Sequence, residues 1–160
     1  MRKQQGFSLI EMVIAASIAG LLIAIVTPGF LNIRSSLLRS QVRWGLIGDL
    51  RYARQLAVTK HKSVVVKFGD GSTTTNVTSY QLFTDTNGNG SLDAGEQALN
   101  RTLPSGAYLT TVTLTPTDQV IYDTSGSLTP ACTGGTITFR GPKGGSDTLL
   151  VSAIGMVYHP

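Results

Sequence analysis

The sequence has few of the residues from which catalytic and metal sites are usually built. A single cysteine, Cys132, excludes an internal disulfide framework and a cysteine-rich zinc site, and we expect it to be a small buried or half-buried thiol. The two histidines, His61 and His159, have no cysteine or second histidine at metal-ligand spacing. No P-loop or dinucleotide fingerprint is present, and no serine lies in a motif that pairs it with a general base. The sequence therefore predicts a protein that is not an enzyme.

Charge is also scarce. Charged residues make up 14% of the chain, whereas the hydrophobic class makes up 41%. This balance is too apolar for a disordered protein and low in charge for a cytosolic one. The net charge of +4 does not by itself imply a polyanionic partner. With 160 residues, the chain is long enough for about one domain plus an appendage.

One stretch near the N-terminus has no charge at all. It runs from Met12 to Ile33, is apolar on every face, and as a helix would be about 33 Å long, which is the thickness of a bilayer's hydrocarbon core. We therefore predict a transmembrane helix over residues 7–31. A secretory signal peptide is disfavoured, because the small residue suited to cleavage, Gly6, precedes the apolar stretch.

The residues around that small residue form a specific pattern. A short basic leader is followed by Gly6-Phe7-Ser8-Leu9-Ile10-Glu11, and Pro28 lies further along. The pattern resembles the processing site of type IV pilins and type II secretion pseudopilins. The resemblance implies that a prepilin peptidase removes the leader, residues 1–6, by cutting between Gly6 and Phe7, and then methylates the new N-terminus at Phe7. It also implies that Pro28 loosens the helix.

Glu11 is the only charged residue between Gly6 and Arg34. A carboxylate in hydrocarbon costs roughly 2.5–3.5 kcal/mol, so its presence needs a reason. The resemblance supplies one, because it implies that Glu11 pairs with the positively charged N-terminal amine of a neighbouring subunit in a filament. Such a pair opposes misregister, since an unpaired charge in a low-dielectric core is costly. We therefore expect Glu11 and Pro28 to act in assembly.

Beyond the apolar stretch, residues 32–62 continue at helical spacing as an amphipathic helix. The positions expected to pack on a sheet are Leu38, Val42, Leu46, Leu50, Ala53 and Ala57. From Ser63 onwards, Thr, Ser, Gly, Val and Tyr favour strands and turns. The predicted strands are 63–68, 77–84, 97–102, 108–114, 119–122, 134–140, 147–153 and 156–158. The sequence thus predicts an α+β fold, in which a long N-terminal helix lies across the antiparallel sheet of a β domain at residues 63–160.

Two further stretches narrow the resemblance. Residues 49–57, DLRYARQLA, and the following Ser63-Val64-Val65-Val66 resemble the minor pseudopilin H family of type II secretion, together with FimT-type minor pilins. The resemblance implies a subunit near the tip of a filament that acts in protein secretion or pilus biogenesis. Its implied partners are other minor pilins, the major pilin, the prepilin peptidase and an inner-membrane assembly platform. The implied location is the inner membrane, crossed once, with the β domain in the periplasm or on an extracellular filament.

A twelve-residue stretch of the β domain matches the spacing of a calcium loop. Its candidate ligands are Asp85, Asn87, Asn89, Ser91, Asp93 and Glu96. In such a loop, Gly90 would permit the sharp turn and Glu96 would close the shell with two oxygens. We predict strands rather than EF-hand helices on both sides, so a hairpin turn without an ion is the other interpretation. Ca²⁺ is a candidate cofactor that the predicted filament function does not require.

Two alternative functions stay open. A DNA-binding minor pilin for natural transformation is the first, because one face of the predicted helix is basic and arginine stripes neutralise phosphates. FimT-type members linked to DNA uptake carry C-terminal arginines, which Gly155–Pro160 lacks here, so Arg140 and Lys143 on a neighbouring turn are the candidate contacts. The second alternative is a stand-alone, membrane-anchored calcium-binding protein, which predicts neither processing nor co-assembly.

Overall fold

The computed structural model describes residues 8–69, 75–116 and 118–160, without the side chains of residues 26–32. Its first element is one long helix, α1, spanning Leu9–Lys60. These 52 residues correspond to about 78 Å of helix. The helix ends at His61, which adopts a left-handed conformation (φ 52°) and donates its N–H to the carbonyl of Ala57. The backbone is helical on both sides of the predicted division between residues 31 and 32.

Eight strands follow the helix, and every predicted strand is confirmed to within two residues at each end. They are β1 (Ser63–Phe68), β2 (Ser79–Asp85), β3 (Ala98–Thr102), β4 (Tyr108–Thr115), β5 (Gln119–Tyr122), β6 (Gly134–Arg140), β7 (Ser146–Val151) and β8 (Val157–Tyr158). The second strand begins later than predicted, at Ser79, because Val77 instead forms an isolated antiparallel bridge with Leu109.

The strands form two sheets, whereas the sequence suggested one. The first sheet has the order β3-β2-β1-β5 and the second has the order β4-β6-β7-β8, with four strands in each. All of the pairings within the two sheets are antiparallel. The predicted α+β class, a long helix packed on antiparallel β structure, is therefore confirmed.

The core lies between the C-terminal half of α1 and the sheets. The helix buries the predicted stripe, except that Leu38 is only half-buried, and it buries Ser35 and Ile47 in addition. From the strands, the largest fully buried side chains include Phe68, Tyr122 and Phe139. Cys132 is buried as predicted, with its Sγ 3.8 Å from the carbonyl oxygen of Gln119.

The N-terminal half of α1 has no such packing. Every residue from Leu9 to Ile25 is exposed, including large apolar side chains such as Leu9 at 83% and Ile25 at 65%. Among the residues that the structure describes, no helix is both long enough and apolar enough to qualify as a membrane span. The predicted domain boundaries at residues 6, 31 and 62 stay predictions.

Candidate functional site

The predicted processing site lies at the start of the chain. Gly6 and Phe7 fall outside the described residues, so cleavage and methylation there stay predictions. The described chain begins at Ser8, which is extended (φ −73°, ψ 146°), and helix α1 starts at the next residue.

The two predicted assembly residues both lie on α1. Glu11 is in the first turn and exposed, and its backbone N–H donates to the carbonyl of Ser8 at 3.1 Å. A carboxylate there is favoured by the positive end of the helix dipole. Pro28 has a helical backbone, but its side chain is not described. Their roles in assembly stay predictions.

An ion-pair network that the sequence did not reveal fastens α1 to the first sheet. The buried Tyr80 of β2 donates its hydroxyl to Asp49 Oδ2 at 2.6 Å. Arg101 of β3 donates Nε to the same oxygen at 3.1 Å and Nη2 to Oδ1 at 3.3 Å. Burial, followed by the hydrogen bond to Asp49, raises the pKa of Tyr80 well above its usual value. The one available signal was that Asp49 is the single acid among the basic residues of this part of the helix.

The candidate calcium loop connects β2 to β3, so its flanks are strands, as predicted. Its two terminal carboxylates accept hydrogen bonds from the loop's own backbone. Buried Asp85 accepts the N–H of Gly88 on Oδ1 at 2.6 Å and that of Gly90 on Oδ2 at 2.7 Å. Glu96 accepts the N–H of Thr86 at 2.6 Å on one oxygen and that of Asp93 at 3.1 Å on the other.

The middle of the loop is held by side-chain hydrogen bonds. Asp93 Oδ2 accepts Nδ2 of both Asn87 and Asn89, each at 2.7 Å, and the N–H of Ser91 donates to Asn89 Oδ1 at 2.7 Å. Within the described part of the chain, no three His, Cys, Asp or Glu side chains are arranged to hold a metal ion. An ion would therefore have to replace these donors, and calcium binding stays a prediction.

The candidate nucleic-acid contacts lie at the other end of the β domain. Arg140 is the last residue of β6 and Lys143 lies in the turn before β7, and both are exposed. This turn packs on α1, because Arg39 Nη1 lies 3.4 Å from the carbonyl oxygen of Gly144. Gly145 suits this turn because its φ of 74° is one that side-chain-bearing residues rarely adopt, and a Cβ there would displace the Arg39 guanidinium. Arg140 and Lys143 therefore lie beside the basic face of the helix.

One acid lies at the edge of this basic region. Asp147 of β7 has Oδ2 3.6 Å from Arg43 Nε, and its other oxygen contacts Nε2 of His159. His159 thus links the C-terminal residues to the second sheet. The sequence carried no signal for this contact, because spacing does not show which side chains of β7 face the residues after β8.

A long N-terminal helix packed on antiparallel sheets is the pilin fold. The model of a family described as Type II transport protein GspH matches residues 45–155, and the prokaryotic N-terminal methylation motif matches residues 1–27. The first match covers more than half of the chain, so the chain belongs to the GspH family. The resemblance inferred from the leader and from residues 49–66 is thus confirmed.

Solved structures agree with the fold. Two crystal structures of the type IV minor pilin FimU from Pseudomonas aeruginosa (strain PAO1) are similar to this chain, at 16% identity and TM-scores of 0.55 and 0.51. Each match covers 76% of this chain, and 87% or 91% of the FimU chain. No curated protein matches by sequence. Family and fold are those of structural pilin subunits, which assemble with other pilins, and they support a minor pilin or pseudopilin of a type II secretion or type IV pilus machine.

Proposed function

We propose that this chain is a minor pseudopilin that is cut between Gly6 and Phe7, methylated at Phe7 and built into a short filament near its tip. The observation that carries the proposal is the order of the two family matches, because the methylation motif at 1–27 precedes the GspH region at 45–155. One helix, Leu9–Lys60, connects them.

The exposed half of α1 supports a role in assembly. From Leu9 to Ile25 it presents apolar side chains in all directions, an arrangement suited first to lipid and then to packing among other pilin helices. We propose that it anchors the chain in the inner membrane before assembly, with the β domain on the periplasmic side. In the filament, Glu11 would pair with the N-terminal amine of a neighbour.

The partners follow from this route. The prepilin peptidase would process the chain, the inner-membrane assembly platform would extract it, and the major pilin and other minor pilins would pack against α1. The sheets, fastened to the C-terminal half of the helix by Asp49, Tyr80 and Arg101, would face outward. The filament would serve protein secretion or pilus biogenesis.

The first experiment is the intact mass and N-terminal sequence of the chain extracted from membranes of cells with an active prepilin peptidase. We expect a chain that begins at methylated Phe7. Peptidase-deficient cells are the control and should retain residues 1–6. A chain that still begins at Met1 when the peptidase is active would overturn the proposal. Gold labelling of filaments tests the tip position, which uniform labelling along the filament would contradict.

DNA capture is the second candidate function, and one observation favours it. Arg140 and Lys143 are exposed and lie next to the basic residues Arg34 and Arg39 of α1. If this surface binds duplex DNA, binding by the full chain in nonionic detergent should weaken steeply with salt. The change Arg140→Gln with Lys143→Gln should then reduce the salt slope by about two.

A further inference from the structure

Positive charge gathers at the end of the β domain that lies nearest the exposed half of α1. Arg34 and Lys143 line one cavity of about 340 Å³, together with Ser35, Gly106 and Pro142. Arg39 crosses the turn at residues 141–145 and reaches the carbonyl of Gly144. Arg140 immediately precedes that turn and is exposed. We name Arg34, Arg39, Arg140 and Lys143 the basic collar.

Little negative charge offsets the collar. The nearby Asp147 is engaged by Arg43 and His159. At the opposite end of the domain, the last turns of α1 are also basic, but acids lie close to them. Lys60 lines a cavity with Thr84 and Gln97, which flank the acidic loop at 85–96. Asp123 belongs to a turn whose Gly126 lies against Arg54. Among the described residues the domain is therefore polarised, with positive charge in clear excess at the collar end.

We propose that the basic collar binds the headgroups of anionic phospholipids at the membrane surface from which α1 emerges. The inference rests on the proposed function, because membrane anchoring is what brings the collar to that surface. Arg34 follows the predicted end of the span by three residues, or about 5 Å of helix. That is within the Debye length of about 8 Å at physiological salt, so surface charge reaches Arg34, which shares its cavity with Lys143.

The chemistry of the collar suits a lipid phosphate. Arginine presents a planar fork of donors to phosphate oxygens, and lysine adds a mobile point charge. Arg34 and Lys143 line the same cavity, and its walls include the hydroxyl-bearing Ser35 and Ser105. A DNA duplex would have to enter between the domain and the bilayer, so we favour lipid over nucleic acid. The contact would hold the domain against the membrane until the subunit is extracted.

The single tryptophan makes the proposal measurable. Trp44 is 65% exposed. It lies on α1 about one turn after Arg39, a member of the basic collar. The full chain in nonionic detergent micelles would be titrated with dansyl-labelled phosphatidylglycerol or phosphatidylcholine, and energy transfer from Trp44 would be recorded. We expect tighter association of phosphatidylglycerol, weakening as salt rises. Phosphatidylcholine controls for non-specific partition of lipid around the apolar helix.

A matched pair of variants locates the site. Arg140→Gln with Lys143→Gln removes two collar charges, and at about fivefold per charge the affinity for phosphatidylglycerol should fall about 25-fold at low salt. Lys60→Gln with Lys62→Gln changes the net charge equally at the opposite end and should change affinity less than twofold. Equal losses in the two variants, or equal affinity for both lipids, would overturn the proposal. So would duplex DNA that displaces phosphatidylglycerol and binds more tightly.

Alkaline extraction of cell membranes separates this inference from the proposed function. If the wild-type chain is released by alkali, anchoring by α1 fails, and the proposed function fails with it. If the chain resists extraction yet shows no preference for phosphatidylglycerol, only the lipid site is wrong. Resistance together with the expected preference supports both.

Discussion

The two halves of α1 are parts of one helix in opposite environments. Between residues 9 and 25 every position is exposed, although the side chains are mostly apolar. Between residues 42 and 57, a stripe that includes Leu46 and Leu50, each 1% exposed, packs on the sheets. The halves also differ in how their apolar side chains are distributed around the helix, on every face in the first and along one stripe in the second. An all-round apolar surface cannot be covered by one sheet, whereas a stripe can.

The difference teaches where each half acts. The C-terminal half buries its apolar surface against the sheets and so stabilises the β domain. The apolar surface of the N-terminal half is exposed and can make contacts outside the chain. In this family, those contacts are with other pilins. A change in one half should therefore affect folding, and a change in the other should affect assembly.

The largest expected effect is on assembly, from Glu11→Gln. If Glu11 pairs with a neighbouring amine as proposed, the change removes one member of a buried charge pair, which costs about 3–5 kcal/mol, and co-purification with partner pilins should fall at least 100-fold. The stability of the isolated chain should change by less than about 1 kcal/mol, because Glu11 is exposed in it and contributes only its interaction with the helix dipole. Glu96→Gln, in the β2–β3 loop, is the matched control and should assemble normally. Equal co-purification of both variants would break the comparison between the halves.

Leu46→Ala should give the largest effect on folding. Its side chain is 1% exposed, and leucine-to-alanine changes in cores cost about 2–5 kcal/mol. Leu37→Ala, on the same helix at 65% exposure, should change the free energy of unfolding by less than about 0.5 kcal/mol. Urea unfolding of the full chain in nonionic detergent, followed by Trp44 fluorescence, measures both. Similar losses of unfolding free energy in the two variants would contradict the difference in burial between these two faces of the helix.

The attachment of the buried half to the sheet can be tested with Tyr80→Phe. The change removes the hydroxyl that donates to Asp49 at 2.6 Å, and hydrogen bonds to charged groups contribute about 1.5–3 kcal/mol. Tyr158→Phe, at an exposed tyrosine, is the control and should stay within about 0.5 kcal/mol of wild type. The same unfolding assay applies, and a neutral Tyr80→Phe would argue against the network.

Tyr80→Phe should also change how the stability of the folded chain falls at alkaline pH. Burial first, and then the Asp49 carboxylate, raise the pKa of Tyr80 in the folded chain. A raised pKa gives stability that is complete below the unfolded value of about 10 and is lost as pH rises above it. The wild type should therefore lose more stability than Tyr80→Phe between about pH 10 and 12. If stability fell equally with pH in the wild type and in Tyr80→Phe, a raised pKa of Tyr80 would not be its cause.

The smallest expected effect concerns the 85–96 loop, which lies beyond the end of the buried half of α1. If it binds calcium as an extracellular-type site, Kd should be about 10⁻⁴–10⁻³ M, and calcium at ten times Kd should stabilise the chain by about 1.4 kcal/mol. On binding, Asn87 and Asn89 would give up their hydrogen bonds to Asp93 and turn their side-chain oxygens toward the ion, which Asp93 would then also bind. Asp93→Asn should abolish the effect, whereas Asp123→Asn should keep it. No thermal shift with calcium would favour the hairpin-turn interpretation.

Much of the fold followed from local pattern. Each strand was predicted because β-branched and aromatic runs alternate with glycine-rich turns, and the buried stripe of α1 followed from its three-to-four spacing. Leu38 was predicted to pack and is half-buried, because spacing identifies a face but not where the sheet ends. The candidate ligands of the loop were identified from spacing alone, but the hydrogen bonds that already engage Asp93 and Glu96 were not.

The sequence by itself determined the elements, the pilin resemblance and the contrast between the halves of α1, because these depend on the order of neighbouring residues. Tertiary structure alone decided the division into two sheets, the Asp49–Tyr80–Arg101 network and the basic collar. The members of each come from segments far apart along the chain: Arg39 meets Gly144 across 105 positions. Only the packing of helix on sheet brings such charges together, and periodicity carries no information about that distance.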